Sequence, residues 1–194
     1  MSPDLYDVFH RPSWTPASLW EYALLCIYSP RSRIEYSVLG AARVAGLYPH
    51  PNHLVNHGTV AHLQVLLRDQ RFPKMFSERT MALAHWITAH DALGQNLSRE
   101  VWATAPGMGP KVASMYVCYT QELPAHETPI ALDIHVLRWM QRQGIDCPLK
   151  VDAGKRYLAL EQQFRDLAMR METDPRQLHY EVWLQGVRSY RKVA

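Results

Sequence analysis

Cysteine is scarce: the 194 residues contain three, Cys26, Cys118 and Cys147. They lie far apart and form no C-x-x-C pair, so neither a disulfide framework nor a zinc ribbon is suggested. Each is expected to act as a small apolar filler, Cys26 and Cys118 within apolar runs. Long hydrophobic runs are also missing, and nothing approaches the roughly 20 apolar residues of a membrane span. The opening MSPDLYDVFHRP has no basic start followed by an apolar stretch. A secretory leader is therefore not expected. The expected setting is intracellular, either cytoplasm and nucleoid or nucleus, with no membrane partner. Low-complexity tracts and repeats of fixed period are absent, and strand signals nearly so.

Lysine is sparse relative to arginine, 5 against 16, within a net charge of only +3. Arginine is the better planar, bidentate partner for phosphate, although genome base composition produces the same bias. His10, His50, His53, His57 and His62 show no clean ligand spacing and read as polar surface groups. No metal held by side chains is expected.

What is present is helical periodicity. Leu19, Tyr22, Ala23, Cys26 and Ile27 keep an i, i+3, i+4, i+7, i+8 pattern after Thr15-Pro16, a cap followed by proline at the first helical position. Ile34, Val38, Ala41, Ala42 and Ala45 repeat it until Gly46, and Val60, Leu63, Leu66 and Leu67 repeat it again. Further helices are expected over Met75–Leu93 (Leu83, Trp86, Ile87 and His90 on one face), Ser98–Ala105, Pro110–Thr120, Leu132–Gly144, Gly154–Met171 and Pro175–Val187. The fold class is all-α, with about nine or ten helices.

Acidic residues are missing where the chemistry-bearing signal lies: Val101–Gln121 has no Asp or Glu, and Lys111 is its only cation. Within it, Ala105-Pro-Gly-Met-Gly-Pro-Lys-Val-Ala113 reads as helix, tight turn, helix. Gly107 and Gly109 give a turn without side-chain bulk that can enter positive φ. Pro110 presets the next helix, and the remaining free amides at its start form an anion site. By itself the pattern is also that of an ordinary αα-hairpin.

A second element, Ala131-Leu-Asp-Ile-His-Val-Leu-Arg138, puts Asp133 at the start of an amphipathic helix. Asp133 reads as an N-cap. It is also separated from Lys111 by one helix and a returning loop, a spacing that lets the two meet across a cleft. A first-turn lysine feels the positive helix end and, in a dry cleft, desolvation; both favour the neutral, nucleophilic amine.

Both motifs, in this order, resemble the helix-hairpin-helix superfamily of DNA glycosylases, the group of endonuclease III and 8-oxoguanine glycosylase. The family patterns are L-P-G-x-G-x-K-x-A and hhD-x-H-hh-R, and the resemblance extends over most of the chain. It implies two helical lobes with the active-site cleft between them: 15–130 as a helical barrel carrying the hairpin at 98–120, and 1–14 plus 131–194 carrying the aspartate. It implies double-stranded DNA with a flipped base as partner, bound by a monomer. Gly107, Met108, Gly109 and their amides would hold a backbone phosphate, often with a cation at the Gly107 and Gly109 backbone. Lys111 falls on the Schiff-base lysine and Asp133 on the essential aspartate of a bifunctional glycosylase and abasic-site lyase. His135 and Arg138 match the trailing positions, as structural or phosphate-side groups. Arg31 and Arg33, in a basic loop where the family carries a glutamine-bearing wedge, are expected on backbone phosphates. Ala105 replaces the family leucine. Only Cys147 lies beyond the aspartate, so no iron–sulfur cluster and no other cofactor is expected. Trp139 and Trp183 are expected in the core.

Two other readings stand beside the glycosylase. One is a viral-type enzyme that hypermodifies thymine in DNA on the same scaffold. The other is a non-catalytic DNA-binding module, with Lys111 on a phosphate and Asp133 only a cap.

Overall fold

The computed structural model describes residues 5–30, 32–70 and 72–191. Among them are eleven α-helices, one short 3-10 helix at Arg68–Gln70 and no strand. The helices are α1 (Leu5–Phe9), α2 (Pro16–Tyr28), α3 (Ile34–Leu47), α4 (Pro51–His57), α5 (Val60–Leu67) and α6 (Lys74–His90). They continue with α7 (Arg99–Trp102), α8 (Pro110–Thr120), α9 (Ile134–Arg142), α10 (Lys155–Arg170) and α11 (Pro175–Arg191). The all-α class is as the periodicity indicates. The two helices without a counterpart in the periodic reading, α1 and α4, are too short to show a period. In α4 only Pro51 and Leu54 are buried.

The chain forms two compact units, Met1–Tyr116 and Val117–Ala194, and α8 contains the boundary. The first unit is built around α2. Thr15 and Ser18 form a reciprocal capping box, and Pro16 opens the helix. From Leu19 to Tyr28 every residue but Glu21 is buried. A helix apolar on all sides must be surrounded by others; α3 and α6 pack against it. Glu21, the exception, is paired with Arg11 at 2.7 Å. Cys26 is among the buried residues, and burial pushes its thiol pKa up, as expected of an inert filler.

Helix α6 ends three residues before the apolar pattern does. Asp91 turns left-handed at φ +46°, and the amide of Ala92 returns to the Ile87 carbonyl at 3.1 Å, which closes the end of the helix. Leu83 and Ile87 enter the core, whereas His90 is exposed and stacks on Trp86 at 4.4 Å.

In the second unit α11 packs against α9 and α10. Trp139 is buried beside Phe164, with ring centroids 5.6 Å apart, as expected of a core tryptophan. Trp183, half-buried, lies one turn beyond Tyr180. Helix α9 starts at Ile134, not Leu132. The Leu132 amide is already bonded to the Tyr157 hydroxyl at 3.1 Å, and Asp133 caps the helix that follows. It ends where Gly144 adopts φ +82°.

Candidate functional site

The hairpin lies in the first unit. Ser98 caps α7, and Trp102 at its end is fully buried, its ring 4.3 Å from Tyr116 and 5.4 Å from Trp86. The turn that follows uses its two glycines differently. Gly107 has φ +84°, and a Cβ there would lie 3.3 Å from Ile27 Cγ2 of α2, so both conformation and space call for glycine. Gly109 has no positive φ and open space where a Cβ would go, so the turn geometry expected of both glycines belongs to Gly107 alone.

Met108 between them is fully buried, and its amide donates to the Ala105 carbonyl at 3.0 Å. It anchors the turn and has no donor left for a phosphate. The Gly109 carbonyl accepts from Val112 at 2.8 Å and Ala113 at 3.0 Å, which starts α8. That carbonyl is therefore already engaged by two donors of the chain. Among the described residues, no group of side chains could hold a metal ion.

What remains is a set of donors. The amides of Gly107, Gly109 and Lys111 have no hydrogen-bond partner among the described residues, and Pro110 has no N–H at all. The side chain of Lys111 is exposed, with no ion pair among the described residues. The described residues leave this amine open to solvent, where desolvation does not favour its neutral form. One further cation stands beside the turn: a Gly107 Cβ would lie 3.6 Å from Arg79 Cδ, and the Arg79 guanidinium sits over the Phe76 ring at 5.9 Å. Arg79 is on α6, far upstream of the hairpin, and no local pattern links it to the motif. Three free amides, an exposed ammonium and a guanidinium, with no carboxylate in the segment, can accept an anion.

Asp133 lies in the second unit and is built quite differently. Its Oδ1 accepts from the amides of His135 and Val136, both at 2.9 Å, as an N-cap does. Its own amide donates to the Ala131 carbonyl at 2.8 Å. Oδ2 has no hydrogen-bond partner among the described residues.

The segment leading to Asp133, residues 128–132, is buried and has no regular secondary structure, so its backbone polar groups need partners. Side chains from α10 and α11 supply them. Glu161 Oε1 accepts from the Ile130 amide at 2.7 Å. Tyr157 donates to the Ile130 carbonyl at 2.7 Å and accepts from Leu132 at 3.1 Å. Arg165 donates to the Thr128 carbonyl at 3.1 Å and pairs with Glu161 at 3.4 Å. His179 Nε2 reaches the Ala131 carbonyl at 3.1 Å, and its Nδ1 is 2.6 Å from the Tyr119 hydroxyl. Burial lowers the His179 pKa, against an opposing pull from Asp133, and burial raises that of Tyr119. None of these five side chains carried a sequence signal, because they lie outside the two motifs.

The other expected site residues divide. His135 is half-buried, and its ring packs so closely on Gly186 that a Cβ there would be 2.5 Å away, which fits the structural role. Arg138 is half-buried on α9. Arg33 is exposed at the start of α3, where its carbonyl accepts from Ser37. Arg31 lies outside the described residues.

Two of the histidines read as polar surface groups, His53 and His62, meet the Tyr48 ring. Tyr48 hydroxyl is 2.6 Å from His62 Nδ1, His53 lies 5.7 Å from the Tyr48 ring, and His50 caps α4. Cys118 and Cys147 are buried free thiols, and burial pushes Cys118 up to about 12. No family model matches the chain, and no curated protein is similar enough to it to be matched.

Proposed function

We propose that the chain is a DNA glycosylase with abasic-site lyase activity, acting on a damaged or modified base flipped out of a duplex. The observation that carries the reading is the divided Asp133 carboxylate: one oxygen holds the helix start, and the other has no partner among the described residues. Asp133 thus keeps one oxygen for charge stabilisation beside its capping role. The free amides of Gly107, Gly109 and Lys111 with Arg79 beside them support a phosphate grip that is indifferent to sequence.

In this reading the Lys111 amine attacks the anomeric carbon. The C1′–N bond to the base breaks as the C1′–Nζ bond forms, and the departing base takes up a proton. Asp133 stabilises the cationic, sugar-centred transition state and accepts a proton from the lysine. The C1′–O4′ bond then opens, O4′ taking up a proton as Nζ loses one, and the imine so formed acidifies the C2′ hydrogen; its removal by a base expels the 3′ phosphate by β-elimination and nicks the strand. The reading requires both groups to reach one sugar.

The cap geometry itself favours a second reading, in which the chain binds DNA without chemistry and Asp133 is a cap alone. Borohydride trapping on a duplex containing an abasic site tests the first. The wild-type chain is expected to cross-link, and Lys111→Ala to lose both the cross-link and the nick while melting like wild type, because the exposed site tolerates alanine. A cross-link that survives in Lys111→Ala assigns the nucleophile to another amine. A panel of oxidised purines, oxidised pyrimidines and modified thymines, scored for base release, identifies the substrate.

A further inference from the structure

The second unit contains a buried polar pair that the reaction does not consume. Tyr119 on α8 and His179 on α11 are each 4% exposed, and their 2.6 Å hydrogen bond joins positions distant in sequence. The protons on this pair can be assigned. The Ala131 carbonyl can only accept, so His179 Nε2 carries the hydrogen that reaches it at 3.1 Å. Nδ1 is then an acceptor, and the Tyr119 O–H donates to it. A neutral imidazole is what burial favours.

The Ala131 carbonyl receives two donors, His179 Nε2 and the Asp133 amide, the latter at 2.8 Å. The peptide plane that His179 fixes is thus the one against which Asp133 is folded. From the other side Asp133 is held by the His135 and Val136 amides at 2.9 Å. Around His179 stand Tyr119 from α8, Ala131 and Asp133 from the preceding segment, and the Phe164 ring of α10 at 6.4 Å. Asp133 is the charged group among them.

We propose that His179, oriented by Tyr119, is a positioning residue for the reaction: its Nε2–H locks the Ala131 carbonyl and so aims the free oxygen of Asp133. The inference rests on the lyase reading above. A group that only fills space would be replaced by any side chain of similar volume. A group that acts by donating to Ala131 while accepting from Tyr119 would be replaced by glutamine, whose tip carries an NH2 group that donates and a carbonyl that accepts, and not by leucine.

The test compares His179→Leu and His179→Gln with wild type on a duplex containing an abasic site. Single-turnover nicking by His179→Leu is expected to fall about 10- to 100-fold, the effect of misplacing a reacting group by up to an ångström. Its Kd for the duplex should stay within about twofold of wild type, since the phosphate grip lies elsewhere. His179→Gln should recover most of the lost rate. Amide hydrogen exchange, read on the same three proteins, needs no activity: the Asp133, His135 and Val136 amides should exchange faster in His179→Leu and regain protection in His179→Gln. Equal nicking by the leucine and glutamine variants overturns the proposal, as does unchanged exchange of those three amides in His179→Leu. Should wild type itself neither trap nor nick, the lyase reading falls, and the exchange data alone decide whether His179 holds Asp133.

Discussion

The hairpin and the aspartate segment organise polar groups by opposite means. In the hairpin, three backbone amides have no partner among the described residues, next to an exposed lysine and with no carboxylate in the segment. In the aspartate segment, backbone groups of residues 128–132 are buried and bonded to side chains of α10 and α11. A surface with free donors suits a ligand whose identity matters little beyond its charge. A carboxylate that must stabilise charge in a transition state suits a rigid mount, because such groups act by being oriented before the reaction begins. The contrast implies that damage to the first region should weaken binding, and damage to the second should impair the fold or the chemistry.

The largest effect is expected from Glu161, which is 2% exposed and holds both the Ile130 amide and Arg165. Glu161→Ala leaves a guanidinium buried beside no carboxylate, and it strands a buried amide. Breaking such a pair from one side costs about 3–5 kcal/mol. Removing the charge as well, in Glu161→Ala with Arg165→Met, should cost less than the single change. Urea melts of both variants measure this. If the single variant were as stable as wild type, the segment would not depend on its side-chain mount.

Asp133→Asn should come next, and it should act on rate and not on the fold. Asparagine caps helices about as well as aspartate, so the bonds to His135 and Val136 can persist. It cannot take a proton from the lysine or balance a cationic sugar with a full charge. A loss of about 10²–10³ in single-turnover rate is expected, typical of one missing electrostatic group. Wild-type turnover in this variant would leave Asp133 as a cap and favour the non-catalytic reading.

The two regions also differ in how legible they were. The all-α class, the capped α2 and the hairpin rest on residues close in sequence, so period and turn chemistry reveal them. The Gly107 turn is local too, yet Arg79 beside it comes from another helix and no spacing rule connects them. Asp133 as a cap is visible from the helix that follows it. Its mount is not, because Tyr157, Glu161, Arg165 and His179 lie on helices where each passes for an ordinary amphipathic position. Only the tertiary path of the chain shows that they converge on residues 128–132. The start of α9 is misplaced for a local reason: the apolar pattern includes Leu132, but Asp133 has extended backbone and caps the helix that follows it.

His179 gives the comparison a pH dependence. Burial lowers its pKa in the folded chain below the ordinary 6.5. Between that lowered value and 6.5 the unfolded chain binds a proton that the folded chain does not. Stability contributed by this imidazole is therefore fully present above pH 6.5 and declines as the pH falls through that window. Melts of wild type and His179→Gln across this range should converge toward acid, since glutamine does not titrate. A wild-type chain that gained stability toward acid relative to His179→Gln would show His179 to be charged in the folded state.

The smallest effect on the fold is expected at Gly109, and it sharpens the comparison most. Gly107→Ala forces a side chain into φ +84° and against Ile27, which costs about 1–2 kcal/mol from the left-handed backbone alone. A loss of DNA affinity in that variant would not separate a damaged turn from a damaged contact. Gly109 has no such requirement, and a methyl there meets nothing within 4 Å, so Gly109→Ala should melt within about 0.5 kcal/mol of wild type. The methyl is added next to the amides of Gly109 and Lys111, which have no partner among the described residues. If a phosphate approaches the backbone there, Gly109→Ala weakens duplex binding with little change in the melt, and weakens it alike for all sequences. The affinity it retains should still fall as salt rises, because other phosphate contacts release counterions as before. Duplex titrations at two salt concentrations, run beside the melt, read all three quantities. Binding as tight as wild type would place the phosphate grip away from the hairpin, and the contrast between a donor surface and a rigid carboxylate mount would lose its first half.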